Sequence, residues 1–265
     1  MIMKKPEYNW MPGPSYLCRR RLVLKLLGDI KPGSVLEIGF GSGDLLEILN
    51  QKGYKGVGID FSGDACRALL ARHQGEKLNF RIMAQAETEL AEWLEKFDII
   101  MAFEVLEHIE NDLEALLRWH NLAADGGHLL LSVPAHARKY DAEDHVAGHA
   151  RRYEKQELIN KLSVTGFTVL KFYSYGYPLI NLSKKVRSYF AAKSATRQTT
   201  MEQRSREIGK GLIFWRPGKY LFNDFTLWPA YLLQSLFLDS DLGDGYLVLA
   251  RKTNPGAAVI NTNHA

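Results

Sequence analysis

The chain has 265 residues, 46% apolar and 24% charged, with a net charge of +4. That length buries a sizeable core in one α/β domain with an insertion, and so mild a charge, with no dominant Lys/Arg block, argues against nucleic acid as a partner. No run of about 18 apolar residues occurs, which argues against a transmembrane helix.

Residues 1–30 read as an N-terminal helical segment. Its opening, "MIMKKPEYNWMPGP", carries charge but no apolar stretch, so no secretory signal is expected. Cys18 and Cys66 form no motif and read as free thiols in a reducing cytosol. From residue 34 short apolar runs alternate with helical patterns. "SVLEIG" (34–39), "YKGVGID" (54–60), "LNFRIM" (78–83), "FDIIMAF" (97–103) and "HLLLSV" (128–133) predict strands buried on both faces. Between them lie predicted helices. One carries Leu45, Leu46 and Leu49, and Gly53 is placed to end it. Ser62 is placed to cap a second. Leu113, Leu116 and Leu117 mark a third, stopped by "DGG" (125–127), and Leu158, Ile159 and Leu162 a fourth. Strand alternating with helix signals a parallel sheet covered on both faces.

The end breaks this rhythm. "FTVLKFYS" (167–174) and "GYLVLARK" (245–252) predict a sixth and a seventh strand. The segment between them far exceeds the roughly 2–5 residues of a hairpin loop. Residues 31–175 and 244–252 are therefore expected to form the core, 176–243 an inserted lid, and 253–265 a disordered tail.

"VLEIGFGSGDLL" (35–46) follows the first strand and opens a helix. Gly39, Gly41 and Gly43 allow a sharp turn and a close backbone approach to a ligand. The next strand ends in Asp60, suited to the two hydroxyls of an adenosine ribose. Glu37 before the loop and Asp44 after it would repel a pyrophosphate, yet tolerate a cationic amino-acid moiety.

These segments, with "GVGIDFS" (56–62) and "FDIIMAFEVLEHI" (97–109), resemble the class I S-adenosylmethionine-dependent methyltransferases over residues 30–175 and 245–252. The resemblance implies a Rossmann-like α/β fold with a seven-stranded sheet, order 3-2-1-4-5-7-6 and the seventh strand antiparallel, helices on both faces and the insertion as a lid. It implies S-adenosyl-L-methionine as cofactor and S-adenosyl-L-homocysteine as product. Gly39, Gly41 and Gly43 would then line the methionine and ribose portion, Glu37 reach toward the amino group, Asp60 hold the ribose, Phe61 lie against the adenine, and Glu104 border the methyl-donor pocket. Where the family often has an acid in a "GDAE"-like turn, this chain has Gln85 and Ala86 in "AQAE". An amide oxygen accepts the same bond from the adenine amino group without charge.

"DHVAGHARRY" (144–153) resembles a D-x-x-x-G-H-x-R-R-Y pattern in one small-molecule branch of these enzymes. Asp144, His149, Arg151, Arg152 and Tyr153 match it, and His145 is additional. Two readings stand. In one, His149 (or His145) is a general base oriented by Asp144, and Arg151, Arg152 and Tyr153 position the acceptor. In the other, the histidines and arginines only hold a loop. No metal centre is expected, because Gly148 interrupts the His145/His149 spacing and no H-E-x-x-H motif is present. The acceptor is expected to be a small molecule, methylated at a hydroxyl or carboxylate, with carbon or nitrogen methylation and a non-catalytic S-adenosylmethionine-binding regulator as alternatives. No Asp/Asn-Pro-Pro-Tyr/Phe tetrapeptide follows the fourth strand, which again argues against nucleic acid. The lid is rich in aromatics: Phe214, Trp215, Tyr220, Phe222, Phe225, Trp228, Tyr231 and Phe237. They suit an apolar acceptor pocket or, as a second reading, weak contact of a cytoplasmic protein with a membrane surface.

Overall fold

The computed structural model describes residues 12–74, 77–182, 184 and 224–253. Its seven strands are β1 (Ser34–Ile38), β2 (Lys55–Asp60), β3 (Phe80–Ala84), β4 (Phe97–Phe103), β5 (Ala123–Pro134), β6 (Phe167–Tyr175) and β7 (Gly245–Lys252). They form one sheet in the order β3-β2-β1-β4-β5-β7-β6. The first five are parallel; β7 runs antiparallel to both β5 and β6.

The helices follow their apolar spacing. α1 (Pro14–Gly28) starts with a proline, whose missing N–H costs nothing in a first turn. It buries Leu17, Leu22, Val23, Leu26 and Leu27. α2 (Asp44–Gln51) buries Leu45, Leu46 and Leu49. α3 (Gly63–Arg72) is capped by Ser62, whose Oγ accepts from Ala65 N at 3.3 Å. α4 (Asp112–Leu122), α5 (Ala142–Ala147), α6 (Lys155–Val164) and α7 (Trp228–Ser235) complete the set. Two cores result. Leu36, Ile100, Leu116, Trp119, Leu131, Leu158 and Tyr246 pack together in one. Val35, Leu46, Leu69, Ile99, Met101, Leu130 and Leu247 pack with Val23 and Leu26 of α1 in the other. Alternating residues of one strand thus feed opposite faces, as a sheet covered on both sides requires.

One element differs from expectation. "DGG" (125–127) does not stop α4, which ends at Leu122; it lies inside β5. Phe97 pairs with Ala123 and Ile99 with His128, so β5 carries extra residues opposite β4. Gly126, at φ 71°, absorbs the irregularity.

Of the segment expected to form a lid, 176–182, 184 and 224–243 are described, α7 among them. Tyr231 packs with Leu17 and Cys18 of α1, and Arg20 bridges Asp44 at 3.1 Å and Asp224 at 2.7 Å. Phe214, Trp215, Tyr220, Phe222 and the tail from residue 254 lie outside the described residues. Among the described residues no helix is long and apolar enough to cross a membrane.

Candidate active site

The C-terminal ends of β1, β2 and β4 gather the first group of residues. Gly39 and Gly43 take positive φ, 70° and 75°. A side chain at either would strike Val105 or Leu69. Gly41, also at positive φ, faces open space instead, and its N–H donates to Asp60 Oδ2 at 2.9 Å. Ser62 N donates to Oδ1 at 2.8 Å. Asp60 therefore braces the loop, and each of its oxygens still has a lone pair for a further donor. Burial raises the pKa of Asp60 against the pull of these two backbone bonds.

Among the described residues, two buried acceptors near this loop stand without hydrogen-bond partners: Glu37 Oε2 and Gln85 Oε1. Burying an acceptor unpaired is costly, so each is a place for a ligand donor. Glu37 is only 3% exposed, and burial, followed by the nearby Asp44 carboxylate, pushes its pKa well up. Phe61 follows β2 with 51% of its surface open, so its ring is free to stack. Two unsatisfied acceptors, an exposed ring and an open glycine turn fit an adenosine bearing a cationic amino acid.

Sequence reasoning missed one member. Arg19, on α1, sits with Nη1 3.0 Å from Glu104 Oε1. Its guanidinium lies over the rings of Tyr16 and Phe103, at 5.5 and 5.8 Å. It also lowers the pKa of Glu37, so it lies close to both acids. Glu104 ends β4 in a left-handed conformation, φ 56°, that a non-glycine residue rarely adopts. Its Oε1 also accepts from Ser132 Oγ at 2.8 Å and Tyr175 Oη at 3.0 Å. Three donors on one oxygen hold the strained residue in place.

The second group belongs to the loop after β5. Asp141 caps α5, and Gly148, left-handed at φ 80°, ends it and turns the chain back. His149 Nδ1 then meets Asp144 Oδ1 at 2.8 Å. A carboxylate only accepts, so Nδ1 carries the proton and Nε2 keeps the lone pair. That Nε2 lies 3.7 Å from Glu107 Oε1. His108, with Nδ1 3.0 Å from Gly148 O, packs edge-on against His149 at 4.9 Å between ring centres. One potential ligand atom from each of Glu107, His108 and His149 falls within 4.8 Å of the others, a spacing compatible with a bound cation.

The remaining expected residues are placed differently. His145 is exposed and stacks edge-on against Tyr140, 5.3 Å away. Arg152 is 6% exposed; its Nε donates to both Asp144 oxygens at 2.8 Å, and its Nη1 to Ala135 O at 3.0 Å and Asp244 Oδ1 at 3.1 Å. Tyr153 is fully buried and donates to Asp112 Oδ2 at 3.0 Å. Arg151, part-exposed, reaches the same Asp112 oxygen at 3.2 Å and Glu110 O at 2.7 Å. The polar groups of Arg152 and Tyr153 are thus turned inward, and the pair ties the loop to the sheet. Ala86 stands part-buried beside Gln85 at the turn after β3.

A family model described as a methyltransferase domain matches residues 13–171. The chain is 35% identical over 102 residues to the ubiquinone biosynthesis O-methyltransferase of Pseudomonas aeruginosa strain LESB58, covering 37% of this chain and 43% of that one. It is 28% identical over 117 residues to the protein of that name from Aliivibrio fischeri strain MJ11, covering 43% and 50%. The chain thus spans half or less of the length of these curated relatives. Solved structures share the fold. An S-adenosylmethionine-dependent methyltransferase from Mesorhizobium loti superposes with a TM-score of 0.57 at 14% identity, covering 89% and 98% of the two chains. The [4+2]-cyclase SpnF does so with 0.56 at 18%, covering 92% and 85%.

Proposed function

The chain belongs to the methyltransferase-domain family, and from that premise we propose that it transfers a methyl group from S-adenosylmethionine to a hydroxyl of a small molecule. The cofactor, when bound, supplies a methyl group on an electrophilic sulfonium. Glu37, Asp60, Gln85 and the glycine loop would hold it, with Phe61 available to the adenine and Arg19 to its carboxylate. Glu104 borders the methyl group. What the protein adds is alignment and removal of the hydroxyl proton.

The Asp144–His149 pair carries the hydroxyl reading. An ionised aspartate fixes the imidazole tautomer and stabilises the imidazolium that forms. Arg152 keeps that aspartate ionised: burial alone would raise its pKa, but the bonds from His149 and Arg152 hold it well below the usual range. A carboxylate acceptor would need no such base. The O-methyltransferase names of the curated relatives support the same choice. Arg152 and Tyr153 then act as positioning residues, and His145 has no part in the proton transfer.

Trp228, Leu232 and Leu236 recur at i, i+4 and i+8 on and just beyond α7, all exposed. That stripe supports an apolar acceptor, presented beneath the lid or at a membrane surface. The test is label transfer from methyl-labelled S-adenosylmethionine into an extract of the host, followed by alkaline treatment. Alkali-stable, protein-dependent label is the expected result. Alkali-labile label would point to a carboxylate acceptor, and tight S-adenosylhomocysteine binding without transfer would point to a regulator.

A further inference from the structure

Arg20 makes two ion pairs that the reaction just described does not use. It follows Arg19 on α1, and its side chain is 15% exposed. Nη1 donates to Asp44 Oδ2 at 3.1 Å, and Nη2 to Asp224 Oδ2 at 2.7 Å. Asp44 opens α2 directly after Gly43 of the cofactor loop. Its other oxygen accepts from Ser42 Oγ of that loop at 3.0 Å and from Tyr16 Oη of α1. Asp224 stands just before α7, and its other oxygen accepts from Tyr231 Oη of α7 at 2.9 Å. A continuous chain of polar contacts therefore runs from the cofactor loop through α1 to α7.

Little of α7 itself is buried. Tyr231 and Gln234 are the buried residues of this eight-residue helix. Tyr231 packs on Leu17 and Cys18 of α1, with the Arg21 guanidinium 4.8 Å from its ring centre. Gln234 Oε1 accepts from Gly176 N at 2.8 Å. So short a helix is not stable alone, and its local opening is governed by how firmly its docking surface on α1 is held. That surface is fixed in turn to the far side of the cofactor loop: Tyr16 and Arg20 bond Asp44, and Arg19 meets Glu104 at 3.0 Å. A ligand seated in the loop restrains Gly39–Gly43 and Asp44 behind them. A guanidinium suits the passing on of that restraint, because its planar fork holds two carboxylates in fixed directions, where an ammonium is a point charge on a flexible stem.

We propose that Arg20 is a positioning residue that transmits occupancy of the cofactor loop to α7, so that the apolar stripe of Trp228, Leu232 and Leu236 is firmly placed for the acceptor only once the cofactor is bound. Binding is then ordered, cofactor first and acceptor second. The inference rests on the proposed reading of the loop as the S-adenosylmethionine site and of the stripe as the acceptor's; it does not depend on which group takes the acceptor's proton. No displacement of α7 is required. The ligand removes opening motions that the helix makes in the free protein, and the second ligand no longer has to restrain them.

The test is hydrogen–deuterium exchange of the whole chain with and without saturating S-adenosylhomocysteine, with calorimetry to follow its binding. Amides of α6 serve as the reference. Leu158 and Leu162 of α6 pack in the core opposite to the one that receives Val23 and Leu26 of α1, so α6 reports the general stabilisation that any ligand gives. In wild type, exchange over residues 230–238 should slow about fivefold or more beyond the change in α6. Two variants cut the path. Arg20→Lys keeps the charge but not the fork, and Asp224→Asn keeps an acceptor for Tyr231 but not the ion pair. In each, the extra slowing should shrink to less than about twofold while S-adenosylhomocysteine still binds; if one variant fails to fold, the other carries the test. Equal slowing of α7 and α6 in wild type, with binding intact, would overturn the coupling and leave the cofactor site standing. Full extra slowing in either folded variant would take Arg20 out of the path and sink the proposal. Loss of S-adenosylhomocysteine binding in a folded variant would also defeat it, by making the pair part of the cofactor site. No binding by wild type would remove the cofactor reading itself, and the coupling with it.

Discussion

Arg152 Nε stands 2.8 Å from each carboxylate oxygen of Asp144, and one of those oxygens also meets Nδ1 of His149 at 2.8 Å. One buried carboxylate thus serves two masters. It anchors a guanidinium that ties the loop to Ala135 and Asp244, and it orients the imidazole. The structural and chemical readings of "DHVAGHARRY" are therefore compatible, because the same bonds do both.

Replacing Asp144 separates the two roles. Asp144→Asn keeps the shape but presents an amide that can donate to Nδ1 and so favours the wrong tautomer. Label transfer should fall by about 10²–10⁴-fold. The buried guanidinium loses one of its two counter-charges and keeps Asp244 at 3.1 Å, so the cost stays below the roughly 3–5 kcal/mol of breaking a lone buried pair. A thermal melt beside the transfer assay reads both. An Asn variant that melts early yet transfers at the wild-type rate would confine Asp144 to the scaffold.

The pH dependence of that stabilisation has a definite sign. Asp144 is held below its unfolded pKa. Its contribution is complete above the ordinary aspartate range near 4 and is lost as pH falls through the depressed folded value. Glu37 is the opposite case. Its folded pKa is raised by burial and then by Asp44, so its contribution is complete below about pH 4.3 and is lost as pH rises toward the folded value. Glu37→Gln should therefore raise the melting temperature at pH 8 more than at pH 5. In S-adenosylhomocysteine titrations it should weaken binding about tenfold, the worth of one charged hydrogen bond. A variant equally stabilised at both pH values would mean that Glu37 is ionised in the free protein.

Most of the fold was legible because its strands are continuous apolar runs punctuated by glycine and capping residues. The cofactor loop was legible for a related reason: Gly39, Gly41 and Gly43 sit where only that backbone geometry serves. What escaped depends on tertiary packing. Arg19 belongs to a triplet, "RRR", whose side chains leave a helix in three directions, and the Glu104 and Phe103 contacts that hold it inward are distant in sequence. Arg152 and Tyr153 read as acceptor-binding groups because polar side chains are seldom buried; two of the carboxylates that hold them, Asp244 and Asp112, are distant in sequence. Glu107 gave no signal, since neither helical nor strand period governs a 3-10 turn.

Arg19 offers a test of the donor end of the pocket. If its guanidinium pairs with the cofactor's carboxylate, Arg19→Met should weaken S-adenosylhomocysteine by about tenfold or more. It should leave 5′-methylthioadenosine, which lacks the amino-acid portion, within about twofold. Calorimetry with both ligands separates the cases. Equal loss for the two would mean that Arg19 acts only by holding Glu104 and the end of β4.

The exposed stripe on α7 yields the last expectation. Trp228 and Leu232 lie one turn apart on α7, and Tyr231 beside them docks the helix on Leu17 and Cys18. Substituting the exposed pair should leave the fold intact, because burial of Tyr231 and the Arg20–Asp224 bridge at 2.7 Å persist. Trp228→Ser with Leu232→Ser removes apolar surface worth about 1.5–3 kcal/mol per side chain when fully covered. If that surface covers an apolar acceptor or rests on a bilayer, label recovered in organic solvent should fall at least tenfold while S-adenosylhomocysteine affinity stays constant. Co-sedimentation with anionic vesicles at low salt tells the two apart: wild-type pelleting that the double substitution abolishes identifies a membrane surface, whereas no pelleting with the same loss of transfer identifies the acceptor pocket. Unchanged transfer in the double variant would remove the stripe from the function altogether.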